Sequence, residues 1–499
     1  MARDLRPGRD DVPAAYGAGV TIDRATGNDI VQLEADRGSV PANIGVLLVF
    51  DPVTAPRIGH LTDVLDARVR TVPRLVRRLV ATPWGCGRPV WVADPGFRLG
   101  RHLDVAGGPG TVDDRGDPAG PERPERPGGP LCREAAMGLI LQRLPRDRPL
   151  WRARAYTDEQ GRVSVLVLVM HHALADGVSG LAVLRALADH PGQDDGPPAV
   201  ASAPAVAMTL ARDAWAGRAR AFARAPHTWR RAAAGVRELG LGHPSSARLR
   251  MAERCSLLTP TSPHRRADVI DLDLGAVNRA ARAAGVTLND LILLAVSGAL
   301  GALLRERGEH LESVVVSVPV SSRATTSAGH LGNEVGALLV SVPLAGDPAN
   351  RLRAITAQTS RLCRTSARGG SAGLLAPAFR LLAVTGLFQW FTRHQRFVHT
   401  FETNLRGPDA ALSVAGGLVS QIVPVAVTPG NVTVSFGVLS YAGRLVVTVV
   451  SDPANVPEHA LVAAVLRREL EAVRDVAVAP RGLDPVLPVC CNGDVRGRG

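Results

Sequence analysis

Apolar and polar positions along the chain follow two periods. Compact apolar runs of strand length occur at 42–50, 151–156 and 163–170. The third, VSVLVLVM, is almost entirely β-branched or apolar, which predicts a strand buried on both faces. Helical spacing follows at 178–188. A second set begins with a strand at 268–274, helices at 275–284 and 287–304, and strands at 313–320 and 335–342. Two helices are expected across 347–392, then strands near 398–404, 418–427, 431–440 and 444–450, and a last helix over 457–475. Between the sets, 190–202 is rich in Pro, Gly and Asp and reads as a linker. Residues 203–239, rich in Ala and Arg and carrying Trp215 and Trp229, read as helical crossover material. A Gly/Pro/Arg/Asp-rich stretch at 105–130 is expected as a surface loop. Strands and helices on both sides of the linker predict two α/β domains, 21–190 and 266–478, joined by 191–265 and flanked by polar tails at 1–20 and 479–499.

Composition is compatible with packed cores: 46% of residues are apolar and 21% charged. The net charge is +12, and all 58 basic residues are arginine, as codon bias in a GC-rich genome would produce. A nucleic-acid module should add a groove-reading motif or interleaved aromatics, and neither is seen. Anionic membrane lipid and the phosphates of coenzyme A remain as partners for the basic charge. The six cysteines are scattered without ligand-like spacing, which reads as a reduced intracellular protein without a metal site. The first twenty residues have no apolar signal core. The nearest approach to a membrane span is 372–391, interrupted by Pro377 and Arg380. With Arg393, His394 and Arg396 behind it, this stretch suits either a lipid interface or a buried helix. The Arg-rich crossover suits either anionic headgroups or a solvated linker. The expectation is a cytoplasmic protein in peripheral contact with the inner face of the plasma membrane or with lipid droplets.

The chemistry centres on His171-His172-Ala173-Leu174-Ala175-Asp176-Gly177, placed between a buried strand and a helix. A strand end holds a base rigidly, and an imidazole can take a proton from an alcohol and return it to a leaving group. Asp176 is positioned to orient the ring or to brace the turn through an arginine, and Gly177 relieves crowding at the reversal. The same string also suits two core histidines followed by an ordinary turn or helix cap. His171 to Asp176 matches the HxxxxD spacing of glycerol-phosphate acyltransferases, and His172 to Asp176 matches HHxxxDG. Both imply acyl transfer to a hydroxyl, on different folds.

Further segments decide between them. Pro149-Leu150-Trp151 stands ahead of the histidines, Asn289-Asp290 opens a long apolar helix, and Ser317 to Arg323 reads SVPVSSR. Gly332-Asn333 and Ser440-Tyr441-Ala442-Gly443-Arg444-Leu445 follow in order. Together these resemble the bacterial wax ester synthase/diacylglycerol acyltransferase family over residues 20 to 475. Two segments depart from it. Thr403-Asn404-Leu405-Arg406-Gly407-Pro408 puts an arginine where an apolar residue is usual, and Arg24-Ala25-Thr26-Gly27 replaces much of the apolar signature after Asp23.

The resemblance implies two chloramphenicol acetyltransferase-like domains, each a mixed sheet with helices, with the active site at their interface. It implies transfer of a long-chain acyl group from acyl-CoA, as co-substrate with no bound cofactor, to diacylglycerol or a fatty alcohol. His172 would be the general base, with His171, Asp176 and Gly177 supporting it. Asn289, Asp290, Pro149, Leu150 and Trp151 would shape the site. Local chemistry offers plainer roles for several of these. Thr287-Leu288-Asn289-Asp290 is a capping-box pattern, Trp151 suits core packing, and Gly332-Asn333 suits a turn. Two other functions stay open: a related acyltransferase acting on a polyketide or glycolipid hydroxyl, and a non-catalytic lipid-surface protein.

Overall fold

The computed structural model describes residues 22–107, 130–189, 208–220, 251–321, 335–367 and 372–476. In chain order the first half contains α1 (Gly27–Ala35), β1 (Asn43–Phe50), α2 (Ile58–Val69), β2 (Arg77–Val80), β3 (Val90–Ala93) and β4 (Leu103–Gly107). It continues with α3 (Pro130–Ile140), β5 (Trp151–Thr157), β6 (Val163–His171) and α4 (Gly177–Leu187). Helix α5 covers 208–220. The second half contains β7 (Arg266–Asp273), α6 (Leu274–Ala284), α7 (Leu288–Glu306), β8 (Ser313–Ser321), β9 (Val335–Pro343), α8 (Pro348–Ala367), α9 (Ala372–Thr385) and α10 (Phe388–His394). It ends with β10 (Thr400–Arg406), β11 (Ser413–Val414), β12 (Gly417–Ala426), β13 (Val434–Tyr441), β14 (Arg444–Ser451) and α11 (His459–Val476).

Twelve of these strands form two mixed six-stranded sheets, ordered β11-β12-β1-β6-β5-β4 and β7-β14-β13-β10-β8-β9, and β2 pairs with β3 in a separate two-stranded sheet. Strand β6 is buried on both faces, as its composition predicts. Leu166, Leu168 and Met170 join one core cluster, and Val165, Val167 and Val169 join another. Burying such a side chain is worth roughly 1.5–3 kcal/mol. The repeated two-sided burial therefore makes β6 a rigid base for whatever stands at its C-terminal end.

The sheets do not follow the expected division of the chain. Within 266–478, expected as one domain, β11 and β12 leave the second sheet and extend the first: β12 pairs antiparallel with β1 from Ile44↔Ala426 onward. The physical reason is β1's second edge. Its other edge is taken by β6, so an unpaired row of backbone groups beside a buried strand needs a partner. Strand β12 supplies it and also packs against β13 and β14, so it joins the halves.

Two local expectations change. Three helices, not two, occupy 347–392. The break falls at Gly386, whose φ of 77° is left-handed and ends α9 as a helix C-terminus does. Among the described residues the membrane-span candidate by length and apolarity is also α7 rather than 372–391, yet 78% of its apolar window is buried inside the protein, so it serves as a core helix. Most of 105–130, the linker 190–202, Trp229, Ser322-Arg323, Gly332-Asn333 and both tails lie outside the described residues.

Candidate active site

Strand β6 ends at His171, and the two histidines take different environments. Backbone bonds fix the turn: His171 N–H donates to Leu150 O at 2.9 Å and His172 N–H to Ala42 O at 2.8 Å. The His171 ring is buried, and its Nδ1 accepts from Ala173 N–H at 2.9 Å. An accepting Nδ1 in a neutral ring leaves the proton on Nε2, which lies 3.7 Å from Asp36 Oδ1. His171 is thereby committed to holding the turn. From His171 to Asp176, only His172 is more than marginally exposed.

Asp36 is a buried carboxylate just past α1 that spacing in the sequence does not reveal. It accepts from Ala42 N–H at 3.1 Å and from Arg146 Nη2 at 3.0 Å. Burial alone would raise its pKa. The His171 ring, Arg146 and the Ala42 N–H outweigh burial and hold the carboxyl well below the usual range. Arg143 donates to the Asp36 carbonyl at 3.0 Å, so α1, β1 and the segment after α3 close around the turn.

The His172 pKa is lowered. Desolvation is the main cause, and the Asp176 charge offsets part of it. The imidazole is thus neutral at neutral pH and able to accept a proton. Asp176 does not brace the turn through an arginine as one expectation had it. It is the N-cap of α4, accepting from Ser179 N–H at 2.8 Å. Asp176→Ala should cost about 0.5–2 kcal/mol in urea melts, whereas Asp176→Asn, still a cap, should keep its stability. Both variants should move the acid limb of the pH-rate profile to lower pH, because the carboxylate that raises the His172 pKa is gone. Equal stability in the Ala and Asn variants would refute the capping role.

Gly177 stands in close approach to a neighbouring side chain, which a larger residue would have to displace by a few tenths of an ångström. A Cβ there would lie 3.0 Å from Leu405 Cδ2, across the seam on β10. The neighbouring β10 residue, Asn404, donates its Nδ2 to Asn289 Oδ1 at 3.0 Å in the first turn of α7. Adjacent residues of one strand therefore touch the histidine turn and the start of α7. That bond fixes the Asn289 amide and turns its own N–H₂ away from Asn404. Asp290 closes the capping box with Thr287 and accepts from Thr359 Oγ1 at 2.7 Å, so its buried carboxylate is fully used in holding the helix end. Arg406, the departure in this segment, is exposed and pairs with Asp409 at 3.3 Å, away from these contacts.

Pro149, Leu150 and Trp151 stand behind the turn. Leu150 supplies the carbonyl that receives His171 N–H, and Trp151 N–H donates to Pro149 O at 2.9 Å. The Trp151 ring stacks on His102 at 4.6 Å, and its Nε1 donates to Leu75 O at 2.7 Å. Its body and its polar tip are both taken up by packing. Sequence reasoning missed Asp36 and the bridging part of β10. The TNLRGP string flagged β10, but its unusual Arg406 is not the residue at the seam.

Comparison with known proteins bears on this arrangement. The chain matches the wax ester synthase/diacylglycerol acyltransferase catalytic domain over residues 26–120 and 126–292, and the C-terminal domain of the same family over 331–474. A probable diacylglycerol O-acyltransferase of Mycobacterium tuberculosis is 28% identical over 435 residues, covering 82% of this chain and 86% of that protein. A second, putative diacylglycerol O-acyltransferase of that organism is 28% identical over 470 residues, covering 88% and 87%. The wax ester synthase/diacylglycerol acyltransferase from Marinobacter aquaeolei VT8 superposes with a TM-score of 0.61 at 19% identity, covering 91% of this chain and 99% of that one. The first condensation domain of the CDA synthetase superposes at 0.55 with 18% identity, covering 94% and 98%. These two likenesses carry the fold: a pair of acyltransferase-like domains with mixed sheets. The family models extend across both halves of the molecule and include the histidine turn and the start of α7, so this chain belongs to the wax ester synthase/diacylglycerol acyltransferase family.

Proposed function

We propose that the protein transfers a long-chain acyl group from acyl-CoA to the hydroxyl of diacylglycerol or a fatty alcohol, with His172 as general base. The observation that carries this reading is the partly exposed, neutral His172 just past the end of a rigid strand, in a turn whose Gly177 packs against Leu405 of β10, next to the Asn404 that bonds Asn289 of α7. The hydroxyl proton passes to the His172 ring as the acceptor oxygen attacks the thioester carbonyl. The carbonyl oxygen takes the negative charge, for which the free N–H₂ of Asn289 and the open first turn of α7 are suitable donors. Collapse of the tetrahedral intermediate breaks the C–S bond, and the proton on His172 goes to the departing thiolate. Products are an ester and coenzyme A, and no cofactor enters the balance.

His171, Asp36 and Asp176 act as positioning residues. The first two hold the backbone of the turn, and the third caps the helix that follows it. The test is CoA release from palmitoyl-CoA by purified protein, with diacylglycerol or hexadecanol added. Release that depends on one acceptor supports the reaction and identifies its preferred alcohol. Folded protein that releases no CoA with either acceptor would refute the proposed substrates.

A further inference from the structure

A row of apolar side chains faces outward on the α9–α10 hairpin. Leu381, Val384, Leu387 and Trp390 are 64%, 69%, 53% and 63% exposed, at three-residue intervals. The opposite side of the hairpin is anchored. Ala383 and Phe388 are buried, Phe388 packs with Phe379 and Phe391, and Gln389 donates to the Glu34 carbonyl at the end of α1. The row is thus held outward by a fixed inner face. Exposed large apolar groups that are contiguous, rather than scattered singly, need an explanation.

Two further exposed tryptophans belong to the same side of the molecule. Arg380, just before Leu381, lies over Gly27 and reaches Asn28 at 3.4 Å. Arg88 lies near both Arg380 and Arg24: burial, and then the like charges of those two, lower its guanidinium pKa. The loop before Arg88 carries Trp84, fully exposed, and is tied to α5 by Arg218 Nη1 donating to Gly85 O at 3.4 Å. Helix α5 presents Trp215, 67% exposed, with Arg218 over its ring at 5.1 Å. Charge on these three segments is mainly positive. Exposed Arg88, Arg212, Arg218, Arg380 and Arg393 face a single carboxylate, Asp213, which is already paired with Arg24 at 2.6 Å. Exposed tryptophans and aliphatics among arginines that have no carboxylate partner among the described residues match the boundary between acyl chains and anionic headgroups.

We propose that α9–α10, the Trp84 loop and α5 form one docking face for a phospholipid surface bearing anionic headgroups, with Leu381, Val384, Leu387 and Trp390 entering the acyl region. Helix α1 packs directly beneath this face and leads to the turn that holds His171, through Asp36 at its end. A membrane-dissolved alcohol would therefore meet the protein on a side connected to the candidate site. The docking face is read without turnover, so it stands or falls separately from the proposed reaction.

The test is flotation of the full chain with extruded vesicles of phosphatidylcholine alone, and of phosphatidylcholine mixed with phosphatidylglycerol. Leu381→Ser combined with Trp390→Ala is the variant. Both side chains are exposed, so circular dichroism and the melting temperature should match wild type. The expected results are at least a ~10-fold higher partition onto the anionic vesicles, weakened by salt, and a ~10-fold or larger loss in the variant. Wild-type protein that floats with neither vesicle, or a folded variant that floats as well as wild type, would overturn the proposal. So would a concentration-dependent dimer in size-exclusion chromatography that the same variant disperses, since the face would then be covered by a second copy of the chain.

Discussion

His172→Ala is expected to lower kcat/KM for acyl transfer by about 10²–10⁴-fold while leaving the melting temperature nearly unchanged. The two halves of this expectation come from different observations. The large kinetic loss follows from the ring being the partly exposed, neutral base of the turn, with no competing proton acceptor built beside it in the proposed mechanism. The small stability change follows because the turn is held by other groups: the backbone bond of residue 172 to Ala42, the His171 ring on Ala173 N–H, and the Asp176 cap on α4. His171→Ala should show the reverse weighting. It removes a buried ring that accepts a backbone N–H and faces Asp36, so stability should fall first and activity with it. In the wild type, the acid limb of kcat/KM should lie below pH ~6.5, since His172 titrates below the ordinary histidine value. A His172→Ala enzyme with near-wild-type turnover would remove His172 as the base. A limb well above that pH would assign the titration to another group.

The sequence makes local features legible and non-local ones obscure. Strand β6 could be read because burial on both faces demands an unbroken apolar string, and that string is visible residue by residue. The histidine turn could be read for the same reason, since its base, its cap and its close-packed glycine lie within seven residues. The exchange of β12 into the first sheet could not. Its apolar pattern would suit either sheet, and the choice is made by which edge of which strand lacks a partner. Asp36 was hidden because a carboxylate just past a helix looks like solvent-facing charge until Arg146 and His171 are brought to it. The seam was half legible. The TNLRGP segment stood out for Arg406, which proves to be a surface residue, while the ordinary-looking Asn404 and Leu405 make the contacts. Asn289-Asp290 is legible as a capping box from spacing alone, but only the bond from Asn404 shows how the Asn289 amide is turned.

The same strand carries the second large expected effect. Glu402→Gln should leave stability near pH 5 little changed and should stabilise the protein strongly at pH 9. The Glu402 side chain is fully buried, and neither carboxylate oxygen has a hydrogen-bond partner among the described residues. It stands opposite Phe436 on the face of β10 that carries Asn404 toward α7. Burial pushes its pKa up to about 8. The sign follows from proton uptake. An unfolded glutamate titrates near pH ~4.3, so between that value and about 8 the folded protein holds a proton that the unfolded chain has released. The stabilising contribution is complete below the unfolded value, declines as pH rises, and is gone once the folded pKa is passed. The loss is on the order of 5 kcal/mol across this window. Glutamine cannot ionise, so the Glu402→Gln protein should lack that slope, and its advantage in urea melts should grow between pH 5 and pH 9. A stability difference independent of pH would mean that Glu402 is not held protonated. Because Asn404 is two residues along the same strand, ionisation of Glu402 should also loosen the contact to Asn289. Wild-type turnover should then fall on the alkaline side, and Glu402→Gln should hold it to higher pH.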